Sequence, residues 1–346
     1  MFVHAIPGLA PQVRRELANL PGVRVSDVGN DGRSDVILCE VTPGREADLL
    51  RLRTIEDAFV EVGRTLRSEG DRPTWIARRV VRPAQLTAGL ELWRAGAGRQ
   101  RARTAPLTYR VVTRVLQERT WRRTQLRHAA EQVVSKLRPR WRIADPAALE
   151  VWVLEYTRGR FVAGVRLTTA RTRQHGGRAV ERPGALRPTV AAAMVALGEP
   201  VDRRAQRVLL DPCCGSGTIL VEACATGWTV EGRDIDPAAV ATSRHNASGA
   251  RVLRGDARSL DLPDASVDAC VSNLPFGRQY TVPRDTRTWL RQVLGEMARV
   301  TRPGGRVVLL VPDIPQDVVP AELRRRDRLR LRLLGVTTAI WVFQRR

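Results

Sequence analysis

The sequence predicts an α/β protein in which an α+β region is followed by a doubly wound parallel sheet that an antiparallel hairpin closes. From residue 188 onward, helical patterns alternate with short apolar strands, and the last two strand patterns flank Gly335 as a hairpin would. The first 170 residues instead mix β-rich runs with helical patterns. The chain has 346 residues, so two domains or more are expected.

The N-terminal elements follow from local periodicity. Helices are expected at 11–20, 45–52 and 123–137, and strands at 36–39, 109–112, 149–156 and 160–167. Arg158 and Gly159 mark the turn between the last two strands. Residues 171–187 are rich in Arg, Gly and Pro, which is typical of a linker.

The C-terminal elements alternate in the manner of a parallel sheet with crossover helices. Helices are expected at 188–197, 217–226, 237–246 and 286–300. Strands are expected at 208–210, 229–232, 251–253, 267–271, 307–311, 328–334 and 337–343. The first five strands would be parallel and the last two would form the hairpin.

The charge of the chain points to a polyanionic partner. Lys and Arg number 58 against 36 Asp and Glu, a net charge of +22. Residues 72–182 hold 25 basic and 7 acidic side chains, and residues 321–346 hold 8 and 2. The middle block could be a solvated basic face, but beside a nearly neutral domain it indicates a module that binds nucleic acid. A membrane surface fits less well, because the arginines occur among strand-like segments rather than on one amphipathic helix.

Several classes of protein are disfavoured. No signal-like N-terminus and no run of 18 apolar residues occurs, so a cytoplasmic protein without a membrane span is expected. The five cysteines are scattered and lack paired spacing, which argues against a disulfide framework and a zinc site. We therefore expect no metal.

The first strand of the C-terminal region runs into a glycine turn, Asp211-Pro212-Cys213-Cys214-Gly215-Ser216-Gly217-Thr218. Glycines there let a ligand approach the backbone at the carboxyl end of the sheet, although such turns are also common for structural reasons. A dinucleotide motif would need a third glycine where Leu220 stands, and a P-loop would need Gly-Lys-Ser/Thr. A nucleoside ligand without a pyrophosphate remains.

The next two strands also end in carboxylates. Asp234 lies 17 residues after Gly217, where it can accept hydrogen bonds from both hydroxyls of a ribose. Asp236 precedes Pro237 and is expected to cap a helix. Asp256 can accept from an adenine amine, although acids at loop starts are common and that role stays open on its own.

The fourth strand ends in Ser272-Asn273-Leu274-Pro275-Phe276-Gly277. An exocyclic base amine is a poor nucleophile because its lone pair is delocalised into the ring. Two acceptors, Asn273 Oδ1 and the backbone carbonyl of Leu274, could accept hydrogen bonds from the two N–H groups of the amine and so localise that lone pair. Pro275 would stiffen the loop and Phe276 would stack on the base. A plain Asn-Leu-Pro turn with a buried Phe is the alternative.

These four motifs, in order, resemble those of class I S-adenosylmethionine-dependent methyltransferases, and Asn-Leu-Pro-Phe resembles their amino-methylating Asn/Asp-x-Pro-Phe/Tyr signature. The N-terminal region is similar, more loosely, to the ferredoxin-like plus THUMP arrangement of tRNA guanine-N2 methyltransferases. The segments that carry this similarity are Pro7-Gly8-Leu9, residues 50–57, Tyr109-Arg110-Val111, the strand pair ending at Leu167 and residues 182–189. Cys213-Cys214 departs from the usual single cysteine, and His175-Gly176-Gly177 departs from the linker pattern.

The resemblance implies a domain order and a set of site residues. The domains would be a ferredoxin-like module at 1–70, a THUMP RNA-binding domain at 71–170, a linker at 171–187 and a class I methyltransferase domain at 188–346. S-adenosylmethionine would be held by Asp211, Cys213, Gly215, Ser216, Gly217, Thr218, Asp234, Ile235, Asp256, Ala257 and Asn273. The target base would be held by Asn273, Leu274, Pro275 and Phe276.

The activity implied is methylation of guanosine N2 in RNA, with tRNA as the favoured substrate and a monomer as the favoured state. Ribosomal RNA as substrate, adenine N6 as target, and a non-catalytic RNA-binding factor stay open as alternatives.

Overall fold

The computed structural model divides into two compact units, Met1–Arg173 and Gln174–Arg346. It describes residues 1–65, 71–96, 106–117, 119–169, 172, 174–175, 179–182, 184–200, 202, 206–275, 285–333 and 335–346.

The first unit is built on one eight-stranded sheet in the order β2-β3-β1-β4-β8-β7-β5-β6. Its strands are β1 (Phe2–Ala5), β2 (Val23–Asn30), β3 (Asp35–Val41), β4 (Asp57–Arg64), β5 (Thr108–Arg114), β6 (Arg142–Ile143), β7 (Leu149–Thr157) and β8 (Arg160–Arg166). All neighbours are antiparallel except β5, which runs parallel to β6 and β7. The order β4-β1-β3-β2 with two intervening helices is that of a ferredoxin-like module.

The described residues of this unit also form the helices α1 (Ala10–Ala18), α2 (Glu46–Leu49), α3 (Pro73–Val80), α4 (Pro83–Gly96) and α5 (Arg123–Leu137). Helices α3, α4 and α5 bury apolar side chains such as Ile76, Leu90 and Leu126 against β5, β7 and β8. The pairing of β4 with β8, from Phe59 opposite Arg166 onward, joins the first 65 residues to the rest of the unit in a single sheet.

The second unit is built on a seven-stranded sheet in the order β11-β10-β9-β12-β13-β15-β14. Its strands are β9 (Val208–Asp211), β10 (Thr229–Asp234), β11 (Arg251–Arg254), β12 (Val267–Asn273), β13 (Thr301–Val311), β14 (Leu323–Leu333) and β15 (Val336–Arg345). The first five are parallel, and β15 is antiparallel to both β13 and β14. The predicted parallel sheet and terminal hairpin are therefore confirmed.

In the part of the second unit that the structure describes, the α-helices are α6 (Pro188–Leu197), α7 (Thr218–Ala225), α8 (Pro237–Asn246) and α9 (Thr286–Val300). The bounds of α6, α8 and α9 are those that the sequence predicts. Asp236 caps α8, as predicted: its side chain accepts a hydrogen bond of 2.8 Å from the backbone N–H of Ala238. Helix α9 packs Val293, Leu294 and Met297 into the core beneath β12, β13 and β15.

Some elements were not predicted. They include strands β1, β2 and β4 and helices α3 and α4, although a proline opens each of those two helices. In the part of the chain that the structure describes, no helix is both long and apolar enough to span a lipid bilayer.

Candidate active site

A cavity of about 550 Å³ opens at the carboxyl edge of the second sheet, where parallel α/β sheets place their ligands. The ends of β9, β10 and β12, the turn after β11, the linker and α9 all contribute to its wall. Its lining residues are Arg182, Gly184, Ala185, Leu186, Asp211, Pro212, Cys213, Cys214, Gly215, Ser216, Thr218, Ile219, Asp234, Ile235, Asp236, Ala239, Gly255, Asp256, Ala257, Arg258, Asn273, Pro275 and Trp289.

The predicted site residues converge on this cavity. All of the described ones line it except Gly217 and Leu274. The side chain of Leu274 is instead fully buried in the core beside α9. Phe276 lies outside the described residues.

The two glycines of the turn after β9 have different surroundings. Both have positive φ, +54° at Gly215 and +77° at Gly217. A Cβ on Gly215 would meet nothing within 4 Å, whereas one on Gly217 would lie 3.1 to 3.3 Å from atoms of Ser243. Gly215 thus leaves space at the cavity, while Gly217 allows α8 to approach the turn.

Asp211 sits at the end of β9 and is almost completely buried. Its Oδ1 accepts hydrogen bonds from the Ser272 hydroxyl at 2.7 Å and from the Cys213 N–H at 3.1 Å. Burial nevertheless raises the pKa of Asp211 to about 7. The carboxyl group therefore changes charge near neutral pH, and a cation placed beside it would favour the ionised form.

Asp234 fixes the glycine turn from the end of β10. Its Oδ2 accepts from the Gly215 N–H at 2.8 Å, and its Oδ1 accepts from the Asp236 N–H at 3.0 Å. A carboxylate has about four acceptor positions, so two remain for the hydroxyls of a ribose. The neighbouring Ile235 is 60% exposed and offers an apolar surface to the cavity.

Asp256, after β11, is already paired with a cation. The Arg258 guanidinium donates to it, with an Nη2–Oδ2 distance of 2.6 Å, and this hydrogen bond lowers the pKa of the carboxyl group. Asp256 is thus charged at neutral pH, and an adenine amine would share the carboxylate with Arg258.

Asn273 ends β12 and lines the cavity. Its Oδ1 is buried and has no hydrogen-bond partner among the residues that the structure describes. A buried acceptor without a donor lowers stability by about 1–3 kcal/mol, so a ligand N–H or O–H that donates to this oxygen would be bound favourably. Pro275 lines the cavity two residues further along.

Other residues that the sequence analysis missed also shape the site. The Asn246 amide Nδ2 donates to the Ser216 carbonyl at 2.9 Å and to the Val180 carbonyl at 2.8 Å, while Oδ1 accepts from the Val180 N–H at 3.1 Å. This one side chain, at the end of α8, ties the linker to the glycine turn. Arg182 forms an ion pair with Asp236, and Trp289 of α9 lies at the cavity wall.

The two adjacent thiols of the turn are not reactive groups. Burial raises the pKa of Cys213 and of Cys214 above that of an ordinary thiol, so both stay protonated. Cys214 contacts Ser243 of α8, whose hydroxyl also donates to the Gly215 carbonyl at 2.9 Å. The pair Cys213-Cys214, which stands where a single cysteine is usual in the methyltransferases that the motifs resemble, therefore leaves the turn packed.

Comparison with known proteins supports the location of the candidate site in the second unit. Residues 175–318 match the family model of the RMKL-like methyltransferase domain, UPF0020. The chain is 37% identical over 145 residues to the U6 snRNA (guanine-N(2))-methyltransferase THUMPD2 of Bos taurus, a match that covers 39% of this chain and 27% of that protein. It is 32% identical over 173 residues to the tRNA (guanine(10)-N2)-dimethyltransferase of Methanothermobacter thermautotrophicus, covering 47% of this chain and 50% of that one. The matches thus span about a quarter to a half of these relatives.

The fold as a whole has a solved counterpart. TrmN from Thermus thermophilus matches with a TM-score of 0.77 at 24% identity, over 100% of this chain and 99% of that one. This confirms the predicted fold class, in which α+β modules precede a class I methyltransferase domain. Residues 175–318 of the second unit match a methyltransferase domain, and the similarity of the chain to proteins named as guanine-N2 methyltransferases confirms the resemblance that the strand-end motifs indicated.

Proposed function

We propose that the protein transfers a methyl group from S-adenosylmethionine to the exocyclic N2 amine of a guanosine in RNA, with tRNA as the favoured substrate. The observation that carries this proposal is the buried Oδ1 of Asn273 at the cavity, which has no hydrogen-bond partner among the described residues. An amine of a base is a donor that would satisfy it. The curated relatives quoted above are named as guanine-N2 methyltransferases of RNA, which supports guanine over adenine.

The cavity fits S-adenosylmethionine. Its volume of about 550 Å³ lies within the usual range for small-molecule sites. Asp234 offers acceptors for the ribose, Asp256 for the adenine amine, and the bare backbone of Gly215 admits the ligand. Asp211 would face the cationic methionine portion. When bound, the cofactor supplies an electrophilic methyl group attached to a positively charged sulfur.

The chain's own residues would activate and align the target amine. Asn273 Oδ1 and the carbonyl of Leu274 would each accept one of its hydrogens, which localises the nitrogen lone pair and directs it into the cavity. The fully buried Leu274 side chain anchors the backbone that presents this carbonyl. The amine can release its proton after attack, so proximity and alignment would supply much of the rate enhancement.

RNA binding is supported by exposed basic side chains on the first unit. Helices α3 and α5 pack against each other. Their exposed positions include Arg78, Arg79, Arg123, Arg127 and Lys136, and the N-cap residue Arg122 of α5 is exposed as well. These residues belong to the segment that we assign to a THUMP domain within 71–170, after the module at 1–70 and before the linker at 171–187. We place the protein in the cytoplasm as a monomer.

The first test identifies the product. Purified protein is incubated with labelled S-adenosylmethionine and unmodified tRNA, and the nucleosides are analysed by mass spectrometry after nuclease digestion. N2-methylguanosine is expected. A methylated adenosine would change the assigned target base to adenine, and label in ribosomal RNA alone would change the assigned substrate to ribosomal RNA. Cofactor binding without any product would favour a non-catalytic RNA-binding factor.

The second test examines Asn273 directly. Asn273→Ala should lower kcat by roughly 100-fold or more, as loss of a positioned polar group in a transition state does, with cofactor and RNA affinities nearly unchanged. Asn273→Asp keeps an acceptor and should retain more activity than the alanine variant. The exposed Asn19→Ala serves as control. A large loss of cofactor affinity in Asn273→Ala would contradict the assigned role.

A further inference from the structure

We propose that strand β14 binds the sugar-phosphate backbone of the substrate RNA through a row of three arginines, Arg325, Arg330 and Arg332. This inference rests on the proposed function for the identity of the RNA. It assigns a second contact surface, on the methyltransferase unit itself and separate from the basic helices α3 and α5.

The register of β14 against β15 places the three side chains on one face of the sheet. Arg325 lies opposite Phe343, Arg330 opposite Ala339 and Arg332 opposite Thr337. Directly opposed residues of an antiparallel pair point to the same face. The three partners are separated by even numbers of residues along β15, so they lie on one face of the sheet, and the three arginines lie on that face too. All three arginines are exposed, whereas Leu329 and Leu331 between them are buried on the other face.

The three guanidinium groups carry uncompensated charge. In the described part of the chain, no carboxylate lies within ion-pairing distance of any of them. Two other arginines of β14 do have partners. Arg328 pairs with Asp313 at 3.3 Å and lies 4.0 Å from the centre of the Trp341 ring. Arg326 donates a hydrogen bond to Gln344. The row is therefore a set of free cations at the end of the sheet, complementary to phosphates rather than to protein carboxylates.

Two arginines of the row, Arg330 and Arg332, lie on the side of the sheet edge that holds the target-base pocket, and Arg325 lies on the other side of Leu329. Asn273 lies opposite Leu310, Leu310 opposite Ile340 and Ile340 opposite Leu329, so one register line crosses the sheet from the catalytic strand to β14. Three interstrand spacings make that line about 14 Å long. Strands β12 and β14 run in the same direction, because β13 is parallel to β12 and antiparallel to β15, as β14 is. Arg330 and Arg332 thus lie beyond the line, towards the edge that holds the cavity.

Charged residues on an edge strand have another use, because they prevent edge-to-edge association. Glutamate prevents such pairing as well as arginine does, but it repels phosphate. Charge reversal therefore separates the two roles. Arg324→Glu is the matched control, because Arg324 is exposed on the same strand but lies opposite Gln344, on the other face.

The experiment measures RNA affinity of the full chain against salt concentration. The triple variant Arg325→Glu, Arg330→Glu, Arg332→Glu should bind tRNA at least ~10-fold more weakly at about 0.1 M salt. Its salt slope should be shallower by roughly 0.7–0.9 for each phosphate that the variant no longer neutralises. Arg330→Glu alone should exceed Arg324→Glu in effect. Affinity for S-adenosylmethionine, measured by calorimetry, should equal that of the wild type and so report an intact fold.

Three results would overturn the inference. Equal decreases in RNA affinity in Arg330→Glu and Arg324→Glu would mean that only net charge matters. Wild-type RNA affinity in the triple variant would leave edge protection as the role of the row. Unchanged RNA affinity together with abolished binding to vesicles of anionic phospholipid would assign the row to a membrane surface.

The binding assay does not depend on catalysis. If no N2-methylguanosine forms but Arg330→Glu still binds RNA more weakly than the equally charged Arg324→Glu does, the proposed activity fails while the RNA-binding strand stands.

Discussion

The hydroxyl of Ser272 donates a 2.7 Å hydrogen bond to Oδ1 of Asp211, and this contact joins the two strands that carry the site. Asp211 ends β9 and begins the glycine turn, while Ser272 immediately precedes Asn273 on the adjacent β12. Both residues are buried. The carboxyl group beside the cavity and the strand end that carries the Asn273 amide are therefore linked by a direct side-chain hydrogen bond as well as by strand pairing.

The ionisation of Asp211 should control cofactor affinity. Burial raises the pKa of this carboxyl group to about 7, so it is mostly neutral at pH 6 and charged at pH 8. Because S-adenosylmethionine is cationic, its affinity should rise between pH 6 and pH 8 and then level off. Calorimetry should show this rise in the wild type and a flat profile in Asp211→Asn. Ser272→Ala removes a hydrogen bond that lowers the pKa, and should move the midpoint upward.

The raised pKa of Asp211 also predicts how stability depends on pH. Ionisation of this carboxyl group should lower the stability of the unliganded protein, whereas it should strengthen cofactor binding. A carboxyl group whose pKa is raised by folding stabilises the protein fully below its unfolded value of 3.8 and loses that contribution as pH rises through about 7. Without ligand, Asp211→Asn should therefore gain thermal stability relative to the wild type at pH 8 but not at pH 4. Asp264→Asn, which alters a carboxylate that is 77% exposed, should show no such pH-dependent gain. Parallel curves for Asp211→Asn and the wild type would contradict the assignment.

The two glycines of the turn should fail in different ways when each is changed to alanine. Both have positive φ, which costs an alanine about 1–2 kcal/mol. Gly215→Ala adds a methyl group in open space at the cavity, so it should weaken cofactor binding more than stability. Gly217→Ala adds one 3.2 Å from the Ser243 Cα, so it should cost further stability by displacing α8. Thermal melting and calorimetry separate the two, and equal effects on both quantities would refute the distinction.

The parallel sheet and its ligand edge were predictable because their signals are local. Strands β9, β10 and β12 are each followed by a helix, and the polar residues that end these parallel strands must meet at one edge. The single sheet of the first unit was not predictable in this way. Its central pairing of β4 with β8 joins residues about 100 positions apart, and no local period encodes such a pairing.

Segment charge was also only partly informative. The block at 72–182 contains Arg110, Arg114 and Arg119, which the fold uses in ion pairs with the buried acids Glu150, Asp31 and Glu155. Sequence counts cannot tell these internal cations from the exposed ones on α3 and α5. Asn246 was missed for a related reason: it lies at a helix end rather than a strand end, and only the folded chain brings it to the glycine turn.

The side chain of Asn246 should matter for cofactor affinity rather than for chemistry. It holds both the N–H and the carbonyl of Val180, and the linker beyond Val180 forms part of the cavity wall. Asn246→Ala should raise the Kd for S-adenosylmethionine roughly 5- to 30-fold, the equivalent of one or two hydrogen bonds, with kcat at saturation unchanged. The neighbouring His245→Ala, on an exposed position of α8, should leave the Kd as it is. A loss of kcat without a change in Kd would place Asn246 in a different role.

The basic face of α5 tests whether the first unit binds RNA. Arg123 and Arg127 are exposed on this helix, and Arg123 is its first residue, where the helix dipole favours glutamate. Arg127→Glu loses an exposed ion pair with Glu131, which costs less than about 1 kcal/mol, so the double variant should still fold. The double variant should weaken tRNA binding and make its salt slope shallower by roughly 1.4–1.8, with cofactor affinity unchanged. Arg24→Glu with Arg51→Glu changes the charge equally at exposed positions within residues 1–70 and should have a much smaller effect. If both double variants bind tRNA alike, RNA attraction is a property of the whole charge of +22, and the segment at 71–170 is not a dedicated RNA-binding domain.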